Sequence, residues 1–167
     1  MREILFRGKR TDNGEWVYGM LTLDDFITYE EPHIERAYCI KAIPNEKCEC
    51  LYWVQVIPET IGQYTGLTDK NGTKIFEGDI IRYADNDEYR MYLESLECPE
   101  EYEGVNFSDL WTIDSVVYGV EIGYPAFDLN NHEWECNGLS NLKESYQYFY
   151  EVIGNIHDNL ELIENEV

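Results

Sequence analysis

At 167 residues the chain is long enough for one domain with its own core, or a domain carrying a sizeable insertion, without covalent staples. Its 34 acidic side chains outnumber 12 basic ones for a net charge of −22, a field that repels phosphate backbones and argues against direct nucleic-acid binding. No apolar run reaches the length of a membrane span, and the N-terminus alternates charged and apolar positions where a signal peptide needs a continuous apolar core, so the cytoplasm is the expected compartment.

In chain order, residues 3–8 and 15–23 are apolar runs flanking Thr11-Asp12-Asn13-Gly14, an Asn-Gly turn signal that predicts a first hairpin. Asp24-Asp25 and Tyr29-Glu30-Glu31-Pro32-His33 break the pattern, and Pro32 disfavours a central strand, so this segment is expected to be a surface connection. Residues 37–43 and 50–57, rich in β-branched and aromatic types around Pro44-Asn45-Glu46-Lys47, predict a second hairpin. The run 58–81 predicts a third, because Asn71-Gly72 supplies the positive φ of a tight turn between Ile/Tyr and Ile/Phe strands. Residues 79–84 continue as a short strand. Segment 85–109 changes character and reads as an acidic insertion. Within 87–97, Tyr89, Tyr92, Leu93 and Leu96 fall at helical spacing, predicting an amphipathic helix with these four on the body and Asp87, Glu88, Glu94 and Glu97 in water, ended by Pro99. Strand composition returns over 110–123, and 124–129 with 133–136 bracket Asn130-Asn131-His132 as another hairpin. Ser140 is a cap candidate for a single helical turn, 148–156 is the last strand, and the acidic tail 157–167 is expected to fray, with Leu160 and Ile163 as the residues able to dock.

An internal echo, Glu59-Thr60-Ile61-Gly62-Gln63-Tyr64 against Glu151-Val152-Ile153-Gly154-Asn155-Ile156, predicts neighbouring strands in one sheet bent at the two glycines.

Chemistry-bearing motifs are few. Five cysteines (Cys39, Cys48, Cys50, Cys98, Cys136) in a reducing compartment argue against a disulfide framework. Cys48-x-Cys50 would place both sulfurs on one face of a strand, but no second cluster follows at zinc-site spacing, so neither metal nor cofactor is expected. Glu77-Gly78-Asp79 pairs two carboxylates; a turn whose Asp accepts backbone N–H bonds explains it better than an acid/base pair. Asp69-Lys70-Asn71-Gly72 looks like the start of a calcium loop but lacks the closing acid. His33, His132 and His157 are scattered, and no phosphate-binding, nucleophile-elbow or zinc-protease motif occurs.

The run Pro58 to Ile81 resembles the signature of the YopX family of small phage and prophage proteins, and Phe6-Arg7-Gly8-Lys9-Arg10, Trp16-Val17-Tyr18-Gly19 and Tyr150 to Ile156 match it as well. The family supplies no activity to carry over. Residues and resemblance together predict a single mainly β domain. Residues 1–57 form N-terminal hairpins, and 58–84 with 110–157 form a small, strongly bent SH3-like barrel or sheet. Residues 85–109 are the short acidic helical insertion and 158–167 the tail. The expected role is that of a non-enzymatic accessory protein binding another protein, of basic character, in the bacterial host cytoplasm, with neither nucleic acid nor membrane as direct partner and homo-oligomerisation left open. The residues expected to bind are Asp85, Asp87, Glu88, Glu94, Glu97, Glu100, Glu101 and Glu103. An acidic decoy occupying the site of a host nucleic-acid-binding protein is the alternative, and an enzyme assembled only in space the third.

Overall fold

The structure, a computed structural model, describes residues 4–27, 34–42, 52–84, 86–107, 110–118, 127–129 and 150–164. The chain forms two compact units, residues 1–66 and 67–167. Both are built from antiparallel strands, and no closed barrel occurs among the described residues.

In the first unit, β1 (Phe6–Lys9) and β2 (Trp16–Ile27) make the predicted hairpin, with Gly14 at φ 73° in its turn. β3 (Ile34–Ala42) and β4 (Tyr52–Gln55) make the second, and the 3-10 turn η1 (Pro58–Thr60) leads into β5 (Gly62–Thr68). The sheet runs β4-β3-β2-β1-β5 and curls: Arg10 bridges Val56, Ile57 N–H donates to the Lys9 carbonyl at 2.8 Å, and Lys9 N–H donates to Thr60 Oγ1 at 2.8 Å. Its inner face buries Val17, Ile40, Val54 and Val56, with Phe6, Leu21 and Ile61 against them.

Asp24 and Asp25, expected to belong to a surface connection over 24–33, are strand residues; positions 28–33 lie outside the described residues. β2 continues through Asp24 and Asp25 to Ile27, pairing Asp24 with Ala37 and Asp25 with Arg36. Exposed positions of a strand need no apolar side chain, so two aspartates do not end it when the partner strand supplies the ladder.

In the second unit, β5 runs past Gly66 and turns back into β6 (Lys74–Phe76). Asn71-Gly72 is the predicted turn: Gly72 has φ 81°, Asp69 N–H donates to the Thr73 carbonyl at 2.9 Å, and Gly72 N–H to the Asp69 carbonyl at 3.0 Å. β7 (Asp79–Tyr83), β8 (Thr112–Tyr118), β9 (Phe127–Leu129) and β10 (Tyr150–Asn155) form a sheet of order β10-β7-β8-β9. Ile75, Ile81, Val116, Phe127, Leu129 and Tyr150 close its core. The turn reading of Glu77-Gly78-Asp79 holds: buried Asp79 accepts the Phe76 N–H at 2.7 Å through Oδ2. The predicted loop at 130–132, the Ser140 cap and Cys48-x-Cys50 lie outside the described residues.

The echo was accidental. Residues 62–64 belong to β5, which pairs with β1, and 151–155 to β10, which pairs with β7 in the other sheet, while Glu59 and Thr60 sit in η1. Gly154 does mark an irregularity, since the β10/β7 register shifts between Val152 and Gly154. Its reason is local: a Cβ there would lie 2.7 Å from Asn159 Oδ1, which accepts the Asn155 N–H. That contact also helps to fix residues 157–164, part of the tail that was expected to fray. Asn155 Oδ1 accepts from His157 and Asp158 N–H, and the turn feeds a one-turn helix α2 (Glu161–Glu164).

Candidate functional site: an acidic arm anchored on a cation-aromatic cluster

Between β7 and β8 the chain leaves the second sheet as an arm. It comprises α1 (Asn86–Glu97) and the 3-10 turn η2 (Pro99–Tyr102), the helix ending before Pro99 as predicted. Of the predicted binding residues, Glu88, Glu94 and Glu97 lie on α1, Glu100 and Glu101 on η2, and Glu103 just beyond, all exposed. Asp85 lies outside the described residues, and of Asp87 only the helical backbone is described.

The apolar stripe is split. Tyr89 and Tyr92 are half-buried, but Leu93 and Leu96 are 45 % and 63 % exposed, correcting the expectation that all four face the body. The inward line is instead Tyr89, Tyr92 and Ser95, three residues apart, narrower than the i, i+3, i+4 stripe of a helix lying flat on a core. Leu93, Leu96, Met91 and Val105 therefore stand in water beside the carboxylates.

Rings fasten the arm. Tyr89 and Tyr92 meet Trp111 edge-on at 5.5 and 6.4 Å between centroids, Phe107 meets Tyr92 at 5.7 Å, and Tyr102 meets Phe107 at 6.3 Å. Contacts of this kind contribute about 0.5–1.5 kcal/mol each beyond their buried area. Tyr102 O–H donates to Glu94 Oε2 at 2.6 Å, and this bond raises the phenol's pKa above its ordinary value.

Behind Trp111 lies a polar cluster. The Arg82 guanidinium stacks on the indole at 4.8 Å and Lys70 Nζ lies 5.9 Å from its centroid. Both cations pair with Glu151: Arg82 Nη2 at 2.7 Å and Lys70 Nζ at 3.2 Å from Oε2, while Asn71 Nδ2 donates to Oε1 at 3.1 Å. The Arg82 bonds, followed by those of Lys70 and Asn71, hold the Glu151 carboxyl below its ordinary value against the opposing effect of burial. Beside it the turn seals the free edge of β10. Lys70 N–H donates to the Tyr150 carbonyl at 3.3 Å, and the Asp69 carboxylate accepts from Asn71 and Thr73 N–H, both at 2.8 Å, and from Val152 N–H at 3.1 Å. Edge N–H and C=O groups that would template another strand are thereby occupied.

The segments that carried the family resemblance therefore meet here, residues 69–71 against 150–152. The family model described as YopX protein matches residues 5–164. The chain belongs to the YopX family. No curated protein matches it. Among solved structures, this YopX chain is similar to the crystal structure of protein EF1440 from Enterococcus faecalis, at 22 % identity over 98 % of this chain and 99 % of that one, with a TM-score of 0.48.

Sequence reasoning found the arm and missed the anchor. Lys70, Arg82, Trp111 and Glu151 are separated by up to 81 residues and obey no spacing rule. The available signal was that Asp69-Lys70-Asn71 and Tyr150-Glu151-Val152 each belong to a matched segment. The arrangement offers ion pairing and ring stacking. Groups of three or more metal-ligating side chains are absent among the described residues, and no described helix is long and apolar enough to cross a membrane.

Proposed function

We propose that this YopX-family chain is a non-enzymatic phage or prophage accessory protein of the host cytoplasm that binds a basic protein through its acidic arm. The observation that carries the reading is the mixed character of the arm, whose exposed carboxylates alternate with exposed Met91, Leu93, Leu96 and Val105. Such a surface fits a basic segment that also presents apolar side chains, where charge steers the encounter and apolar contact supplies the hold. The helix is charged against its own stability: its last turn holds no basic residue, and Glu94 and Glu97 sit at the negative end of the macrodipole, an arrangement costing about 0.3–1 kcal/mol per carboxylate that a docking cation relieves. A decoy shaped like a phosphate backbone would have no use for the leucines, which favours the protein partner over mimicry.

The test is capture of partners from phage-infected cells by the wild-type chain and by a chain with Glu94, Glu97, Glu100 and Glu101 changed to Gln, followed by affinity measurements on the captured protein across a salt series. Binding should weaken at least tenfold in the variant and fall as salt rises. A partner affinity indifferent to both would refute the acidic-arm reading, as would tight binding of plain duplex DNA by the chain itself.

A further inference from the structure

The outer half of the β2/β3 ladder is longer than the sheet that carries it. β1 pairs with β2 only over Trp16–Gly19, and β4 ends its pairing with β3 where Val56 N–H donates to the Tyr38 carbonyl. Beyond these points the two strands continue, Asp24 opposite Ala37 and on to Ile27 opposite Ile34, as a ribbon with no further strand on either edge among the described residues. An isolated two-stranded ribbon is marginally stable in water. The inward row that buries Val17 and Ile40 runs straight on to Leu23 and Tyr38, which lie on the same face by register yet are 49 % and 41 % exposed. The next pair outward on that face is Asp25 and Arg36, side by side with Arg36 Nε 2.8 Å from Asp25 Oδ1, both exposed.

We infer that this face is a homodimer contact, its occupant the same face of a second copy. The charges favour that occupant. A two-fold interface must be self-complementary, each residue meeting its counterpart's partner. Here an apolar pair is flanked by one acid and one base, so the two-fold that runs along the ribbon and lays Leu23 on the partner's Tyr38 brings Arg36 to the partner's Asp25 and Asp25 to the partner's Arg36. The ribbon also belongs to the unit where like-charge repulsion is weakest. Residues 1–66 hold eleven acidic and seven basic side chains, net −4, whereas residues 67–167 hold 23 and five, net −18. The contact is small and makes a weak dimer, with a dissociation constant on the order of tens of micromolar. It is independent of the acidic arm.

Sedimentation equilibrium of the full chain from about 5 to 500 µM tests it. Wild type should pass from monomer to dimer, and Leu23→Ser should weaken the dimer at least tenfold with an unchanged melting midpoint. Asp25→Arg and Arg36→Asp should each be monomeric when alone, and an equimolar mixture of the two should dimerise. That mixture separates the contact between chains from the ion pair within one, because the internal pair is broken in both components. A wild-type chain monomeric throughout, a dimer insensitive to Leu23→Ser, or a mixture no more associated than its components would each overturn the inference.

Discussion

Asp69→Ala is the substitution by which the β10 edge seal is best judged. The wild-type carboxylate accepts three backbone N–H bonds, from Asn71 and Thr73 within its own turn at 2.8 Å and from Val152 across the chain at 3.1 Å. Bonds to an ionised acceptor contribute about 1.5–3 kcal/mol each when shielded from water. Asn71 and Thr73 are exposed, so water replaces the lost oxygen for their amides and each costs about 0.5–1 kcal/mol. The Val152 amide lies beneath the turn on a half-buried strand, and losing its acceptor costs about 2 kcal/mol. The total is about 3–4 kcal/mol, equivalent to a fall in melting midpoint of about 10 °C for a chain of this size. Asp69→Asn should cost about half as much, since Oδ1 still serves the turn while the amide nitrogen meets the Val152 N–H donor to donor. Thermal melting gives the totals, and amide hydrogen exchange apportions them: Val152 should lose protection in both variants, Asn71 and Thr73 mainly in Asp69→Ala. A midpoint within 2 °C of wild type with Val152 still protected would show that the carboxylate does not hold the two segments together.

Gly19→Ala should destabilise by about 3 kcal/mol, read by chemical denaturation, because its Cβ would collide with the Lys41 carbonyl oxygen and backbone must move. Gly72→Val meets no neighbour within 4 Å, so its expected loss of about 1–2 kcal/mol comes from φ 81° alone, and an unchanged midpoint would count against the turn geometry. Glu151 has its folded pKa depressed, chiefly by Arg82, so its contribution is fully present above its unfolded value and is lost as pH falls through the lower folded one. Glu151→Gln should therefore melt well below wild type at pH 7, with the two midpoints converging as pH drops below about 4. Trp111→Ala should release the arm, seen as lost amide protection across α1, while Leu96→Ser, 63 % exposed, should leave stability within about 0.5 kcal/mol.

What the sequence made legible was local. Asn13-Gly14 and Asn71-Gly72 announce their turns because a positive φ restricts the residue types that fit, and the apolar runs beside them must pleat against something. The helix over 87–97 was legible from composition, but its buried line was not. Tyr89 and Tyr92 are held by Trp111, nineteen residues beyond Tyr92, and a helix fixed at one ring leaves Leu93 and Leu96 in water. The echo misled because a Gly in a strand has several causes. At Gly154 the cause is the Asn159 side chain, which nothing in Glu151 to Ile156 reveals.

The placement of cations explains how so acidic a unit folds. Residues 67–167 contain five basic side chains against 23 acidic, too few for general neutralisation, and two of them, Lys70 and Arg82, are committed to one carboxylate and one indole. The half-buried position is where a pair is worth most. Glu151 is half-buried and takes both cations, whereas Arg90 beside Glu94, at 4.0 Å and exposed, adds little. The anchor thus spends its positive charge inside the fold and leaves Glu88, Glu97, Glu100 and Glu101 facing solvent. Replacing arm carboxylates by amides should then raise stability slightly, through reduced self-repulsion and a better matched helix dipole, even as it weakens partner binding. Opposite signs for stability and affinity are the mark of a binding surface, whereas an arm whose charge only solubilises the chain would gain the same stability and leave affinity unchanged.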